Sequence, residues 1–164
     1  MKFIAKDEAL SKLKLANPIH FLALGFGSGL AAKAPGTFGT LAAIPVYLLL
    51  TYLPLSWYLI ITLMAFIVGI YICGKASSDM GVHDHGSIVW DEVVGYLVTM
   101  IAAPAGWQWV IAGFVLFRIF DILKPWPIRV LDEKVHGGLG IIIDDVFAGF
   151  CGLICMQVLA YFIL

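Results

Sequence analysis

Val82-His83-Asp84-His85-Gly86-Ser87-Ile88-Val89-Trp90-Asp91-Glu92 packs ionisable side chains between two long uncharged runs and ends in an acid pair that leads straight into the second. Charge at the edge of hydrocarbon is costly, so acids placed there imply partners and a functional site. Before this stretch, no charged residue occurs for 41 positions between Lys33 and Lys75. After it, 25 uncharged positions separate Glu92 from Arg118, and the last 19, from Val146 to Leu164, are uncharged too. A helix that crosses a bilayer needs about 20 apolar residues. The first run therefore predicts a helical hairpin turning at Tyr52-Leu53-Pro54-Leu55-Ser56, and the last predicts one span.

Composition agrees with a membrane chain. Of the 164 residues, 62% are hydrophobic and 13% charged, against roughly 25% charged in ordinary soluble domains. Mean hydropathy is +0.98. A net charge of -1 leaves no basic stripe for nucleic acid. Cys73, Cys151 and Cys155 all lie in apolar runs and read as buried reduced thiols. No cleavable leader is visible, because residues 1–15 are charged and lack an apolar core.

The middle run is ambiguous, since Pro104-Ala105-Gly106 divides it. One tilted helix would put residues 75–92 and 118–145 on opposite faces, separating their acids by the full bilayer, roughly 30 Å. Two shorter helices put every charged residue on one face and both uncharged turns on the other. The hairpin is the better reading. Lys2, Lys6, Lys12, Lys14, Lys75, Arg129 and Lys134 then make the charged face cytoplasmic. The expected fold is an all-α, polytopic membrane bundle of about five spans with an N-terminal interfacial or re-entrant helix, forming one domain over residues 1–164.

Residues 1–16 read as a short amphipathic helix with lysines for anionic headgroups. Asn17-Pro18 is a helix start, with Asn as cap and Pro in the first position. Gly25-Phe26-Gly27-Ser28-Gly29 is a weak nucleotide-loop signal, because no strand precedes it; close helix contacts or a re-entrant segment suit it better. In Ala34-Pro35-Gly36-Thr37, Thr37 is a candidate cap. With Lys33 nearby, the helix start is either an anion seat or an ordinary capped turn.

His83-Asp84-His85 invites a zinc reading, but no third strong ligand stands at metalloprotease spacing. Arg118, Asp121 and Lys124 share a broad helix face that Pro125 and Pro127 terminate. That trio is either an intrahelical ion pair with a snorkelling lysine or part of an anion site. Asp144-Asp145-Val146-Phe147-Ala148-Gly149 echoes Asp91-Glu92-Val93-Val94-Gly95: an acid pair at a helix start with glycine one turn on. The glycines would let helices approach closely. Asp91, Glu92, Asp121, Asp144 and Asp145 can thus converge at one depth. Left alone they would repel; an all-oxygen set suits Mg²⁺. Cations beside it point to a phosphorylated lipid. Asp91, Asp121, Lys124 and Asp145 are the candidate catalytic residues. Lys124 would act as a point charge on a phosphate, and Lys33, Thr37, Arg118 and Arg129 would be further substrate-binding residues.

These stretches together closely resemble the bacterial phosphatidylglycerophosphatase A family: Asn17-Pro18, residues 25–29, Pro35-Gly36-Thr37, residues 81–92, 118–129 and 136–149. The resemblance implies a Mg²⁺-dependent phosphatase of the bacterial inner membrane that converts phosphatidylglycerophosphate to phosphatidylglycerol. No Cys-x₅-Arg loop offers a thiol-phosphate route, and no Arg and His signature of vanadate-sensitive lipid phosphatases is present. The alternative from another class is a small transporter or channel subunit with a carboxylate ion path.

Overall fold

Residues 8–164 are described by a computed structural model, and every regular element among them is helical. In chain order these are α1 (Pro18–Ala23), a 3₁₀ turn (Ser28–Leu30), α2 (Pro35–Leu50), α3 (Leu55–Met80), α4 (Trp90–Thr99), α5 (Trp107–Leu123), α6 (Ile128–Lys134) and α7 (Gly137–Ile163). Of the expected helix over residues 1–16, residues 1–7 lie outside the described part; residues 8–11 are helical, and Lys12 Nζ donates to Met80 O at 3.5 Å. Asn17 caps α1 as expected, its side chain accepting from the Ile19 N–H at 2.9 Å with Pro18 in the first position.

The first long uncharged run is a hairpin of α2 and α3, and the middle run is two helices, α4 and α5, rather than one. Their turns lie at the same end. Residues from 50–55 and 100–103 line one cleft, and Ala105, Gly106 and Trp107 lie against Tyr47 and Thr51 in the next. The last turns of α7 reach that end as well, where Gln157 Nε2 donates to the carbonyls of Ile101 and Ala102 at 3.1 and 3.2 Å. None of these turn residues is charged. At the opposite end, α1, residues 81–89, α6 and the start of α7 gather the charges. His20 Nε2 lies 2.8 Å from Asp79, and the Val89 N–H donates to Ala23 O at 2.8 Å. The Lys14 N–H donates to His20 Nδ1 at 3.0 Å, so both ring nitrogens of His20 are occupied.

Of the about five spans expected, two helices among the described residues, α3 and α7, are long and apolar enough to cross a membrane; at 1.5 Å per residue they run about 39 and 40 Å. Only 22% and 28% of their apolar windows are buried inside the chain, so much of that surface needs an apolar surrounding. By the same measure α2 and α5 run about 24 and 26 Å, and α4 about 15 Å, half the hydrocarbon thickness. The short helix is possible because it is enclosed: Asp91 and residues 93–100 are all buried. It packs on α7, α2, α3 and α5. Its contact with α7 is set by glycine. A Cβ on Gly149 would stand 2.5 Å from Gly95 O, and one on Gly95 would stand 2.8 Å from Asp145 O. Thr99 Oγ1 bridges the pair, reaching Gly149 O at 3.3 Å.

Candidate active site

The close contact of α4 and α7 brings the two acid pairs to one level. Asp91 and Glu92 occupy the first turn of α4, where the helix dipole favours negative charge. Asp145 comes alongside on α7. One oxygen from each of Asp91, Glu92 and Asp145 lies within 4.8 Å of the others, and among the described residues this is the one group of three or more acids, His or Cys able to hold a metal. Asp91 and Asp145 are 5% and 3% exposed. Asp91 Oδ1, Glu92 Oε2 and Asp145 Oδ2 are buried without a hydrogen-bond partner in the protein. Unpartnered buried carboxylate oxygens facing one another are costly unless a cation joins them, so the donor set fits a hard divalent ion.

Asp121 adds a fourth carboxylate. It is ion-paired with Arg118 one turn earlier on α5, and its charge reaches both Glu92 and Asp145. Four carboxyl groups thus gather beside one guanidinium, an arrangement that a bound cation would relieve. The start of α2 forms its wall. Ala34 takes the left-handed conformation at φ 48° to launch the helix at Pro35. A Cβ on Gly36 would lie 2.6 Å from Glu92 Oε1 and 3.2 Å from Arg118 Nη1. Glycine at 36 is therefore a space requirement of the site. The sequence leaves Pro35-Gly36-Thr37 open between an anion seat and an ordinary capped turn, and the contact of Gly36 with Glu92 is not legible in it.

A second group lies beside the first. α5 ends at Leu123, and Lys124, the residue before Pro125, turns left-handed at φ 45°. Lys124 thus leaves the face of Arg118 and Asp121 that the spacing predicts. Its Nζ lies 2.8 Å from Asp144 Oδ2 and 3.1 Å from Asp132 Oδ1. Burial alone would lower the Lys124 pKa, but hydrogen bonds and charge from Asp144 and Asp132 outweigh it and raise it above the ordinary lysine value. Asp144, expected among the metal ligands, is outside the three-acid group and is held by this ammonium. Consecutive helical residues point about 100° apart, so Asp144 and Asp145 face different neighbours. Asp132 escaped the sequence reading because its short helix carried no pattern of its own.

Thr37 is half-buried in the first turn of α2 and does not cap it: Ala34 is the N-cap, with no side-chain cap bond. Lys33 and Arg129 are exposed and make no ion pair among the described residues. His83 and His85 diverge. The His83 ring stands 6.1 Å from that of His136, whereas His85 is buried and accepts the Ser87 N–H on Nδ1 at 3.1 Å. The two histidines thus face different neighbours.

Known proteins to which this chain is similar carry phosphatase names. The family model described as Phosphatidylglycerophosphatase A matches residues 21–160. A protein of Escherichia coli strain K12 named phosphatidylglycerophosphatase A is 57% identical over 145 residues, covering 88% of this chain and 84% of its own length. One of the same name from Haemophilus influenzae is 51% identical over 163 residues, covering 98% of this chain and 100% of its own. A Bacteroides thetaiotaomicron protein provisionally named a phosphatidylinositol-3-phosphatase is 42% identical over 142 residues, 82% of this chain and 88% of its own. No solved structure matches the chain.

Proposed function

The chain belongs to the phosphatidylglycerophosphatase A family, and we propose that it hydrolyses the terminal phosphomonoester of phosphatidylglycerophosphate at the Asp91, Glu92, Asp145 cluster, with Mg²⁺ as its metal. The products are phosphatidylglycerol and inorganic phosphate. The observation that carries the reading is the trio of buried, mutually close carboxylates whose inward oxygens have no partner in the protein. Asp91, Glu92 and Asp145 would hold the ion, which when bound supplies Lewis-acid stabilisation of charge on the phosphoryl group.

The chain's own residues do the rest. Asp121 holds the Arg118 guanidinium at the rim, leaving a fork of donors for phosphate oxygens. Lys124 stays cationic between Asp144 and Asp132 and offers a compact charge to the monoester. The Thr37 hydroxyl, in the first turn of α2, and Lys33 face the diester end, with Arg129 orienting the headgroup from α6. In this reading α3 and α7 cross the bacterial inner membrane, the shorter helices complete the multi-pass bundle, and the charged end faces the cytoplasm. The transporter alternative lacks a route, because the turns at the far end carry no ionisable acid to continue the path.

Single-turnover phosphate release in detergent tests the activity. Wild-type protein should release one phosphate per phosphatidylglycerophosphate with Mg²⁺ and none with EDTA; a folded protein inert toward this lipid with Mg²⁺ present sinks the proposal. A phosphatidylinositol phosphate in the same assay measures headgroup selectivity. Orientation is read separately: impermeant thiol reagent added outside intact cells should label Ser56→Cys and Ala105→Cys, and labelling of either only from the inside overturns the topology.

A further inference from the structure

The carboxylate cluster is buried on nearly every side, so a lipid must reach it by a particular route. Toward the α3–α7 side the way is shut. Trp90 Nε1 donates to Ala65 O at 3.0 Å, and the indole and Ile142 both press on Gly69 so closely that no Cβ fits there. Val94, fully buried beside Ile142, completes the plug. The apolar groove outside that plug, which includes Leu63, Phe66 and Phe150, has no charged lining residue. The α5 side differs. Phe114, Val115, Arg118, Ile119, Ile122 and Leu123 line a shallow groove on its outer face. Arg118 is the one charge in it, and the same guanidinium pairs with Asp121 and reaches the Gly36–Glu92 wall. α2, which carries that wall, packs on α5 less than α4 and α7 do.

We propose that this α5 groove is the docking surface for an acyl chain of the lipid substrate, and that the headgroup passes sideways between α2 and α5 to the cluster. The proposal rests on the phosphatase reading above and adds the path and the tail contact. The groove sets one cation among apolar side chains, which suits an amphiphile with an anionic head. Phe114 and Val115 lie one turn below Arg118, toward the uncharged end, with a rise of about 5.4 Å per turn. A phosphate at Arg118 therefore leaves its glycerol and chain over Val115 and Phe114, while Ile119 and Ile122 flank it. Charge complementarity selects the occupant: an anionic head and an apolar tail. Ordinary surrounding lipid would have no reason to prefer this groove to the one between α3 and α7.

Two measurements on the full-length protein test this. Val115→Trp fills the groove at a position that is 47% exposed, so the added bulk faces outward. It should lower kcat/KM for the diacyl substrate about tenfold, the scale of two lost buried methylenes. Hydrolysis of the deacylated, water-soluble phosphomonoester headgroup should not change, and Leu63→Trp in the other groove should alter neither. Equal losses on both substrates, equal effects of the two tryptophans, or no effect at all overturns the proposal. Independently of turnover, a phosphomonoester lipid with a diazirine-bearing tail should crosslink to residues 107–123 and be displaced by excess unlabelled substrate. Equal labelling of α3 and α7 that excess substrate does not displace means surrounding lipid only. Displaceable α5 labelling without phosphate release would leave the docking surface standing and remove the phosphatase reading.

Discussion

The two acid pairs, Asp91-Glu92 and Asp144-Asp145, look alike in sequence and end up in different circumstances. Both residues of the first pair join the unpartnered cluster. The second pair is divided: Asp145 faces the cluster, while Asp144 accepts from Lys124 at 2.8 Å. The difference lies in what surrounds each helix. α4 is enclosed, so acids in its first turn meet the same interior. α7 is flanked by α4 on one side and by the Lys124 turn and α6 on another, so neighbouring residues see opposite charges. A repeated motif is thus no guide to a repeated role when the helices differ in their neighbours.

The largest expected effect breaks the cluster itself. Asp91→Asn or Asp145→Asn should lower kcat on the order of a thousandfold. Either change relieves repulsion between buried acids, so the melting temperature in EDTA should hold or rise. The Mg²⁺-dependent increase in Tm expected for wild type should disappear. Retention of that increase in Asp145→Asn would take Asp145 out of the metal site.

Lys124→Ala comes next, with kcat about a hundredfold lower, because it removes the cation proposed for the monoester and strands Asp144. Steady-state kinetics with short-chain substrate in mixed micelles reads this. A wild-type kcat with only a raised KM would make Lys124 a docking residue. Gly36→Ala probes the wall from outside the pair. A methyl there must displace the flexible end of Glu92, so Mg²⁺ affinity should fall by about tenfold. Alanine is the better helix former, so Tm without metal should not drop. A Tm drop with unchanged metal affinity would mean that backbone, rather than Glu92, gives way.

Asp144→Asn should have the smallest effect. Asparagine can still accept from Lys124, so kcat should fall severalfold, at the low end of the losses seen when an outer partner is altered, about tenfold. Mg²⁺ affinity, by calorimetry, should stay close to wild type. If Asp144→Asn loses metal binding as Asp145→Asn is expected to, the division of the second pair has no functional meaning.

Much of this was legible in the chain. The spacing of charges led to helical hairpins with both turns at one end, and Pro104-Ala105-Gly106 marked the break that became the α4–α5 turn. The five acids, Arg118 and Lys124 were identifiable because charge beside long apolar runs is rare and needs a reason. How many of the helices are full crossings was not legible. Hydropathy measures apolar length and is blind to whether a neighbouring helix or lipid supplies the apolar surroundings, so it could not tell the enclosed ten-residue α4 from a full crossing.

What the sequence by itself determined is the helical class, the membrane-like composition, the gathering of charge at one end and the inventory of acids and cations, because each depends on local composition and periodicity. Only the tertiary structure decided which acids meet. The Gly95–Gly149 contact sets how closely α4 and α7 approach and at what rotation, and that rotation turns Asp145 toward Asp91 and Glu92 while its neighbour Asp144 turns to Lys124. Such a choice rests on side-chain packing between segments more than fifty residues apart, and no local pattern encodes it.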